Sequence, residues 1–199
     1  MQNELHEIHP KLRSALEFAA EAHDKQYITG TDVLYIEHIY NVVRTSKVML
    51  DDTNLNKIDA LLIAALHDTV EDTPVTLAEI REKFGDFVAG GVSALTKDES
   101  LPKILQMPDS LNRVLLHSPE ARVIKMADRC DNFAKPHHYW DESKLFDYLK
   151  EGIMIYQMLA GVSEKADMML REKIRNYIFF MRSDIFREKA AELVKNLGF

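Results

Sequence analysis

Apolar residues recur along most of this chain at spacings of three and four, the pattern of helices that each bury one face. Leu12, Ala15, Leu16, Ala19, Ala20 and His23 form one such stripe and predict a first helix ending near Lys25. A loop follows over Ile28-Thr29-Gly30-Thr31-Asp32, and Tyr35, Ile39, Val42 and Val43 restore the helical period with His38 on the inward side. A third helix, from about Asn56 to Asp68, is apolar almost all round through Ile58, Leu61, Leu62, Ile63, Ala64, Ala65 and Leu66, which predicts a central position. It runs into His67-Asp68-Thr69-Val70-Glu71-Asp72-Thr73, and Pro74 opposes any regular continuation.

Thr76 and Glu79 have capping-box spacing, and Gly85-Asp86 reads as a stop followed by a new start, with that next helix ending near Thr96-Lys97. Residues 98–117 carry Pro102 and Pro108 among mixed charges and predict a long, partly helical connection beside the site, able to serve as a lid. Ser118-Pro119 fits an N-cap and first helical residue, opening a helix through Val123, Ile124, Ala127 and Asp128 to Asn132. Three more helices are expected from Asp141 to Leu197, broken near Gly161-Val162-Ser163 and Ser183-Asp184. The expected fold is all-α, a single helical domain over 1–199 with a motif-bearing core at 12–135 and C-terminal helices at 141–197 that complete it without a synthetase or regulatory extension.

Composition agrees with this pattern. Seven glycines and six prolines in 199 residues are too few for a fold rich in tight turns. The formal net charge of −7 argues against broad attraction to a nucleic-acid polymer and favours a small partner. Apolar runs such as Ala60 to Leu66 are far shorter than the roughly 20 residues of a bilayer-spanning helix, so no membrane partner is expected. The lone Cys130 cannot form an internal disulfide, which suits a cytoplasmic location.

The acidic balance directs attention to carboxylates and histidines. His67 and Asp68 are adjacent at a helix end, where both can turn toward one ion, and His38 and Asp128 lie on inward faces of other helices. Together they make an N2O2 donor set suited to a divalent ion such as Mn²⁺, Fe²⁺ or Zn²⁺. Taken singly, each histidine is more readily read as a satisfied core or surface residue. Glu71 and Asp72 place two more carboxylates nearby, able to orient or deprotonate a water; alone, before a proline, they would be solvated turn formers.

The order His38, His67-Asp68, Glu71-Asp72, then Lys125-Met126-Ala127-Asp128-Arg129-Cys130-Asp131-Asn132 resembles the hydrolase domain of the RelA/SpoT homologues, shared by the small stand-alone alarmone hydrolases and of the HD type. Ala22-His23-Asp24-Lys25-Gln26 through Gly30 to Tyr35-Ile36-Glu37-His38 is similar to the family's opening segment, and Phe84-Gly85-Asp86-Phe87-Val88-Ala89 with Leu95-Thr96-Lys97 to its middle. The resemblance covers roughly Leu12 to Lys135. It implies an all-helical, Mn²⁺-dependent enzyme that removes pyrophosphate from the 3′ position of guanosine tetra- or pentaphosphate. It also implies metal binding by His38, His67, Asp68 and Asp128, water activation by Glu71 and Asp72, and nucleotide contact by Asn132. Lys125 and Arg129 match basic positions, where Arg129 either meets substrate or orients a carboxylate.

The chain departs from that family after Gln26, where Tyr27 and Ile28 stand in place of basic residues, and after Asn132, where Phe133-Ala134-Lys135 leaves one cation. Tyr27 is read either as a stacking contact for a base or as rim packing. Lys25, Lys97, Lys103 and Arg113 are possible replacement phosphate contacts or ordinary solvated charges, and His137, His138 and Trp140 cluster without a carboxylate to form a second metal site. Cys130 is read as packing. Two other readings stay open: an HD-type nucleotidase acting on deoxynucleotides, and a nucleotide-binding module without turnover.

Overall fold

A computed structural model describes residues 9–135 and 138–198, and all structural statements below concern those residues. The helices run in the order α1 (Pro10–Ala22), α2 (Ile36–Met49), α3 (Lys57–Leu66), α4 (Thr69–Asp72), α5 (Leu77–Phe84), α6 (Asp86–Leu95), α7 (Lys103–His117), α8 (Pro119–Phe133), α9 (Glu142–Leu159), α10 (Glu164–Tyr177), a 3₁₀ turn (Ile178–Phe180) and α11 (Asp184–Lys195). The sole strand-like pairing among the described residues is an isolated antiparallel bridge between Tyr27 and Leu34. It draws the loop between α1 and α2 into a narrow hairpin.

The apolar surface of α3 explains its place: it packs against α1, α2, α6 and α8, and Ala60 through Leu66 are all buried. Each large aliphatic side chain so buried contributes on the order of 1.5–3 kcal/mol. Asn56 caps its start by accepting the Asp59 N–H, while the Asn56 N–H donates to Glu120 Oε1 on α8. The helix stops where the Thr69 hydroxyl donates to the Leu66 carbonyl and Thr73 donates to that of Thr69. These bonds satisfy helix-end carbonyls, and the backbone turns between α3 and α4 at the His67-Asp68 pair.

Other caps follow the sequence. Thr76 and Glu79 close a reciprocal capping box, Gly85 separates α5 from α6 at φ 93°, and Ser118 with Pro119 opens α8. Residues 103–117 form the continuous helix α7, although Pro108 lies inside it. The proline removes the hydrogen bond to the Ile104 carbonyl, but Ile104 is exposed, so water can replace that donor. Met107, Leu111 and Val114 are buried, and the Ser110 hydroxyl donates to the Ala94 carbonyl. α7 is therefore docked against α6 and α8, and the expected lid is a packed helix.

The C-terminal helices share this core. Leu149, Ile155, Leu170, Ile174 and Val194 join the same buried apolar cluster as Leu12 and Leu62. Gly152 on α9 is a point of close approach: a Cβ there would lie 2.3 Å from Cζ of Phe133 on α8. Arg182, between the 3₁₀ turn and α11, donates from its guanidinium to the carbonyls of His138 and Trp140, and its backbone N–H and that of Ser183 bond Glu142. This clasp ties the residues after α8 to the end of the chain. No helix among the described residues is long and apolar enough to cross a membrane.

Candidate metal centre

Three elements converge where the central helix ends. α2 contributes His38, the α3–α4 turn contributes His67 and Asp68, and α8 contributes Asp128. His67 Nε2 lies 3.0 Å from Asp68 Oδ2 and 3.9 Å from Asp128 Oδ1; His38 Nε2 lies 3.4 and 3.5 Å from the same two oxygens. Ligand atoms about 2.1 Å from a shared ion sit about 3.0–3.4 Å apart at adjacent octahedral or tetrahedral positions, so the spacing fits one small cation.

The hydrogen bonds on the far side of each ring support that reading. His67 Nδ1 is 2.9 Å from the Ala64 carbonyl, an acceptor only, which fixes the proton on Nδ1 and leaves the Nε2 lone pair facing the cluster. Nε2 is buried and makes no hydrogen bond. His38 Nδ1 is 2.7 Å from Asp131 Oδ2, so its Nε2 is directed inward by the same logic. Carboxylates and carbonyls behind a histidine are the usual means of setting tautomer and raising ligand basicity. An orphaned imidazole nitrogen among two carboxylates is the arrangement a divalent cation would complete.

Charge explains the titration behaviour of the cluster. Burial alone would push Asp68 and Asp128 up, but the adjacent imidazoles hold Asp68, and Lys125 with His38 hold Asp128, well below the usual carboxylate range. Burial works against protonation of His38 and His67, yet hydrogen bonds from His38 to Asp128, Asp131 and Asp68, and the charge of Asp68 beside His67, raise both. Without an ion, protons on the imidazoles supply the positive charge that the carboxylates require. The Tyr35 hydroxyl donates to Asp68 Oδ2 at 2.6 Å, and burial with the surrounding carboxylates pushes its ionisation far up.

Asp72 and Glu71 sit one turn beyond, with different neighbours. Lys97 holds Glu71 through Nζ at 2.8 Å and through its backbone N–H at 3.0 Å. Asp72 has no such cation: packing about its carboxyl and the negative charge of Asp68 raise it. Asn132 donates to Asp128 Oδ1 at 2.6 Å, and Lys125 Nζ lies 3.1 Å from Asp128 Oδ2, so both hold this carboxylate from the same helix.

A cavity of about 380 Å³ opens beside the cluster, with His38 and Tyr35 at its base, Ile28, Gly30 and Val33 on one wall, and Asn132, Lys135 and Tyr139 on the other. Tyr139 packs on the Gly30 backbone so closely that a Cβ would lie 3.0 Å from the ring, and Gly30 has φ 79°, so the two walls meet at a residue that favours glycine.

Several expected substrate contacts lie elsewhere. Arg129 is buried on another side of α8, with its guanidinium 3.9 Å from the Tyr148 ring centroid and 3.1 Å from Glu151 Oε2, so it braces α9 and does not reach the cavity. Tyr27 is exposed and outside the cavity lining, to which Ile28 contributes instead. Arg113 is engaged by Asp109 and the Ser93 and Thr96 carbonyls; Lys25 is exposed beside Asp24, and Lys103 is exposed at the start of α7. His137 lies outside the described residues. The sequence reading missed Asp131, Tyr35 and Lys97 as partners of site residues. Asp131 had a signal, three residues after Asp128 on the same helix, whereas Tyr35 and Lys97 are joined to the site only by tertiary packing.

Comparison with known proteins gives a consistent picture. A family model described as the HD domain matches residues 15–163. The mouse guanosine-3′,5′-bis(diphosphate) 3′-pyrophosphohydrolase MESH1 is 29% identical over 167 residues, covering 81% of this chain and 92% of its own length. The guanosine-3′,5′-bis(diphosphate) 3′-pyrophosphohydrolase of Aquifex aeolicus is 30% identical over 193 residues, 88% of this chain but 27% of that longer protein. A solved structure of a metazoan ortholog of SpoT, described as hydrolysing ppGpp, superposes with a TM-score of 0.75 at 26% identity, covering 85% of this chain and 96% of that one. With the match spanning α1 through α9 and the buried His-Asp cluster at its centre, the chain belongs to the HD domain family.

Proposed function

We propose that this protein is a metal-dependent phosphohydrolase that removes pyrophosphate from the 3′ position of a nucleotide, as in guanosine-3′,5′-bis(diphosphate) 3′-pyrophosphohydrolases. The observation that carries the proposal is the buried set of His38, His67 and Asp128 with the half-buried Asp68 against it, Asp72 beside them and a nucleoside-sized cavity opening from the group. The names of relatives that match over most of their own length support the same activity. The mixed nitrogen and oxygen donors favour Mn²⁺, with Fe²⁺ and Zn²⁺ compatible. When bound, the ion would lower the pKa of a water and polarise a phosphoryl oxygen.

The chain's own residues account for the rest. His38 and His67 present Nε2 because Asp131 and the Ala64 carbonyl hold their Nδ1 protons. Asp72 is the base: its raised pKa suits it to take a proton, while Lys97 holds Glu71 as an oriented neighbour. Water attacks the phosphorus attached to O3′, and the P–O3′ bond breaks. Asp72 takes one proton from the water and gives it up to O3′ as that bond breaks, leaving a 3′-hydroxyl and pyrophosphate. Asn132 steadies Asp128 and borders the cavity, where it can also meet the nucleotide. The buried free thiol of Cys130 fits a reducing, cytoplasmic setting.

The deciding experiment is incubation of Mn²⁺-loaded protein with guanosine-3′,5′-bis(diphosphate), with product identified by ion-exchange chromatography. Release of pyrophosphate and guanosine 5′-diphosphate is expected. Binding without product would instead favour a nucleotide-binding module, and orthophosphate release from deoxynucleoside monophosphates a general nucleotidase.

A further inference from the structure

His23 closes α1 and is buried, and it stands outside both the metal centre and the cavity lining. Its Nδ1 donates to Gln26 Oε1 at 2.6 Å, while Nε2 is buried without a hydrogen bond, so the ring is anchored by one edge alone. Lys25 lies between these two residues at φ 57°, a left-handed conformation that residues other than glycine seldom adopt. That turn returns Gln26 to the helix end, where its N–H donates to the His23 carbonyl at 3.0 Å. The Gln26 carbonyl in turn accepts the Tyr35 N–H at 2.8 Å, which ties the start of α2 to His23. A sparsely populated backbone conformation held in place by its surroundings is typical of functional sites.

The rings of His23 and Tyr35 stack, with centroids 4.8 Å apart and 28° between their planes. Tyr35 also meets the His38 ring edge-on, at 5.4 Å and 60°. Between these two neighbours the phenol has little freedom to tilt, and its hydroxyl donates to Asp68 Oδ2 at 2.6 Å. Burial and the charge of Asp68 push the Asp72 carboxyl up, and the Tyr35 hydroxyl, with a smaller pull from His23, draws it down. One hydroxyl therefore bears on the carboxylate at the head of α4 and on the one at its end.

We infer that His23 is a positioning residue for the base: pinned by Gln26, its ring sets the plane of Tyr35, and the Tyr35 hydroxyl then holds Asp68 and Asp72 in place for attack by water. The inference rests on the pyrophosphohydrolase reading for Asp72 and on the proposed metal centre for Asp68. No proton transfer is assigned to either ring. A displacement of about 1 Å in such a support can cost on the order of 100-fold in rate without altering any group that touches substrate.

The test is a double-mutant cycle on the Mn²⁺-loaded protein with guanosine-3′,5′-bis(diphosphate), using His23→Ala, Tyr35→Phe and the two combined. Each single substitution is expected to lower kcat by about tenfold or more. Because His23 lies outside the cavity lining, KM in His23→Ala should move by less than about threefold. The combined variant should be no slower than Tyr35→Phe alone, since His23 acts only through the hydroxyl already removed. Losses that multiply overturn the inference while leaving the activity intact. His23→Phe restores a flat face without the Gln26 bond and should regain part of kcat; a phenylalanine protein as slow as the alanine one, at unchanged Tm, overturns the stacking route. The same cycle read on Mn²⁺ affinity by chelator competition needs no substrate. Tyr35→Phe should weaken binding about tenfold through Asp68, and adding His23→Ala should weaken it no further, whereas independent losses refute the inference. If the wild-type protein leaves the nucleotide intact, the pyrophosphohydrolase reading falls together with the role of Asp72, and the affinity cycle decides whether His23 positions Tyr35.

Discussion

Asp131 offers a stringent test of the proposed metal centre, because it touches no ion itself and acts only through His38. Its carboxylate accepts from His38 Nδ1 at 2.7 Å and from Lys135 Nζ at 2.7 Å, and both His38 and Asp131 are buried. Asp131→Asn keeps an oxygen that can accept from Nδ1 but removes the negative charge that makes Nε2 a stronger donor. Partners of this kind are worth about 10- to 100-fold in metal affinity, or about 1.4–2.8 kcal/mol. Asp131→Ala also strands the buried Nδ1–H, adding about 1–3 kcal/mol of destabilisation. Mn²⁺ affinity measured by chelator competition should fall at least tenfold in both variants, with thermal unfolding showing the larger stability loss in the alanine variant. Lys135→Met separates charge from geometry: it leaves Asp131 fully charged behind His38, so affinity should not fall. Unchanged Mn²⁺ affinity in a folded Asp131→Asn protein would refute the argument that this carboxylate sets the donor strength of His38.

The other predictions concern catalysis, packing and protonation. Asp72→Asn should retain the metal but lower kcat by about 10²–10⁴-fold, the usual contribution of a general base, and near-normal turnover would remove Asp72 from that role. Gly152→Ala should destabilise by about 1–3 kcal/mol in chemical denaturation, since its methyl must displace Phe133, itself stacked on Tyr177; a neutral effect would mean α8 and α9 separate easily. The raised His38 and His67 pKa values predict a pH-dependent metal effect. For a histidine raised on folding, the stabilising proton is fully present below the unfolded pKa of about 6.5 and is lost as pH rises through the folded value. The metal-free protein should therefore lose stability on the alkaline side, where Mn²⁺ no longer competes with protons, so the Tm increase on adding Mn²⁺ should be larger at high pH than near pH 6; equal increases would contradict it. Burial pushes the Cys130 thiol up to about 12, so a thiol reagent at mild pH should label unfolded but not native protein, and rapid native labelling would show that α8 opens.

Much of this architecture was legible because local signals agreed. The all-round apolar run of α3 placed it centrally, and Asn56, Thr76 with Glu79, and Ser118 with Pro119 marked helix starts that the structure realises with capping bonds. The stretch 98–117 was read as only partly helical because Pro108 is a helix breaker in isolation, while burial of Leu111 and Val114 outweighs one missing hydrogen bond within α7. Within the site, the residues expected as ligands lie close together, His38 and Asp128 on inward helix faces and His67 with Asp68 on the turn that ends α3. Substrate contacts were harder to read, because adjacent positions on α8 point to different neighbours. Asp128 faces α2, whereas Arg129, one residue and about 100° further round the helix, stacks on Tyr148. The acid–base pairing of Glu71 with Lys97 spans 26 residues and has no periodic signature.

The Arg182 clasp carries a consequence for how selectivity can change. One guanidinium from the end of the chain holds the carbonyls of His138 and Trp140, and between them Tyr139 leans on Gly30 to close the cavity. None of these groups belongs to the metal-bearing turn or to α2. Substitutions at Arg182 and its neighbours can therefore widen or narrow the cavity while the residues of the proposed metal centre remain fixed, so the shape of the cavity and the chemistry beside it can drift independently.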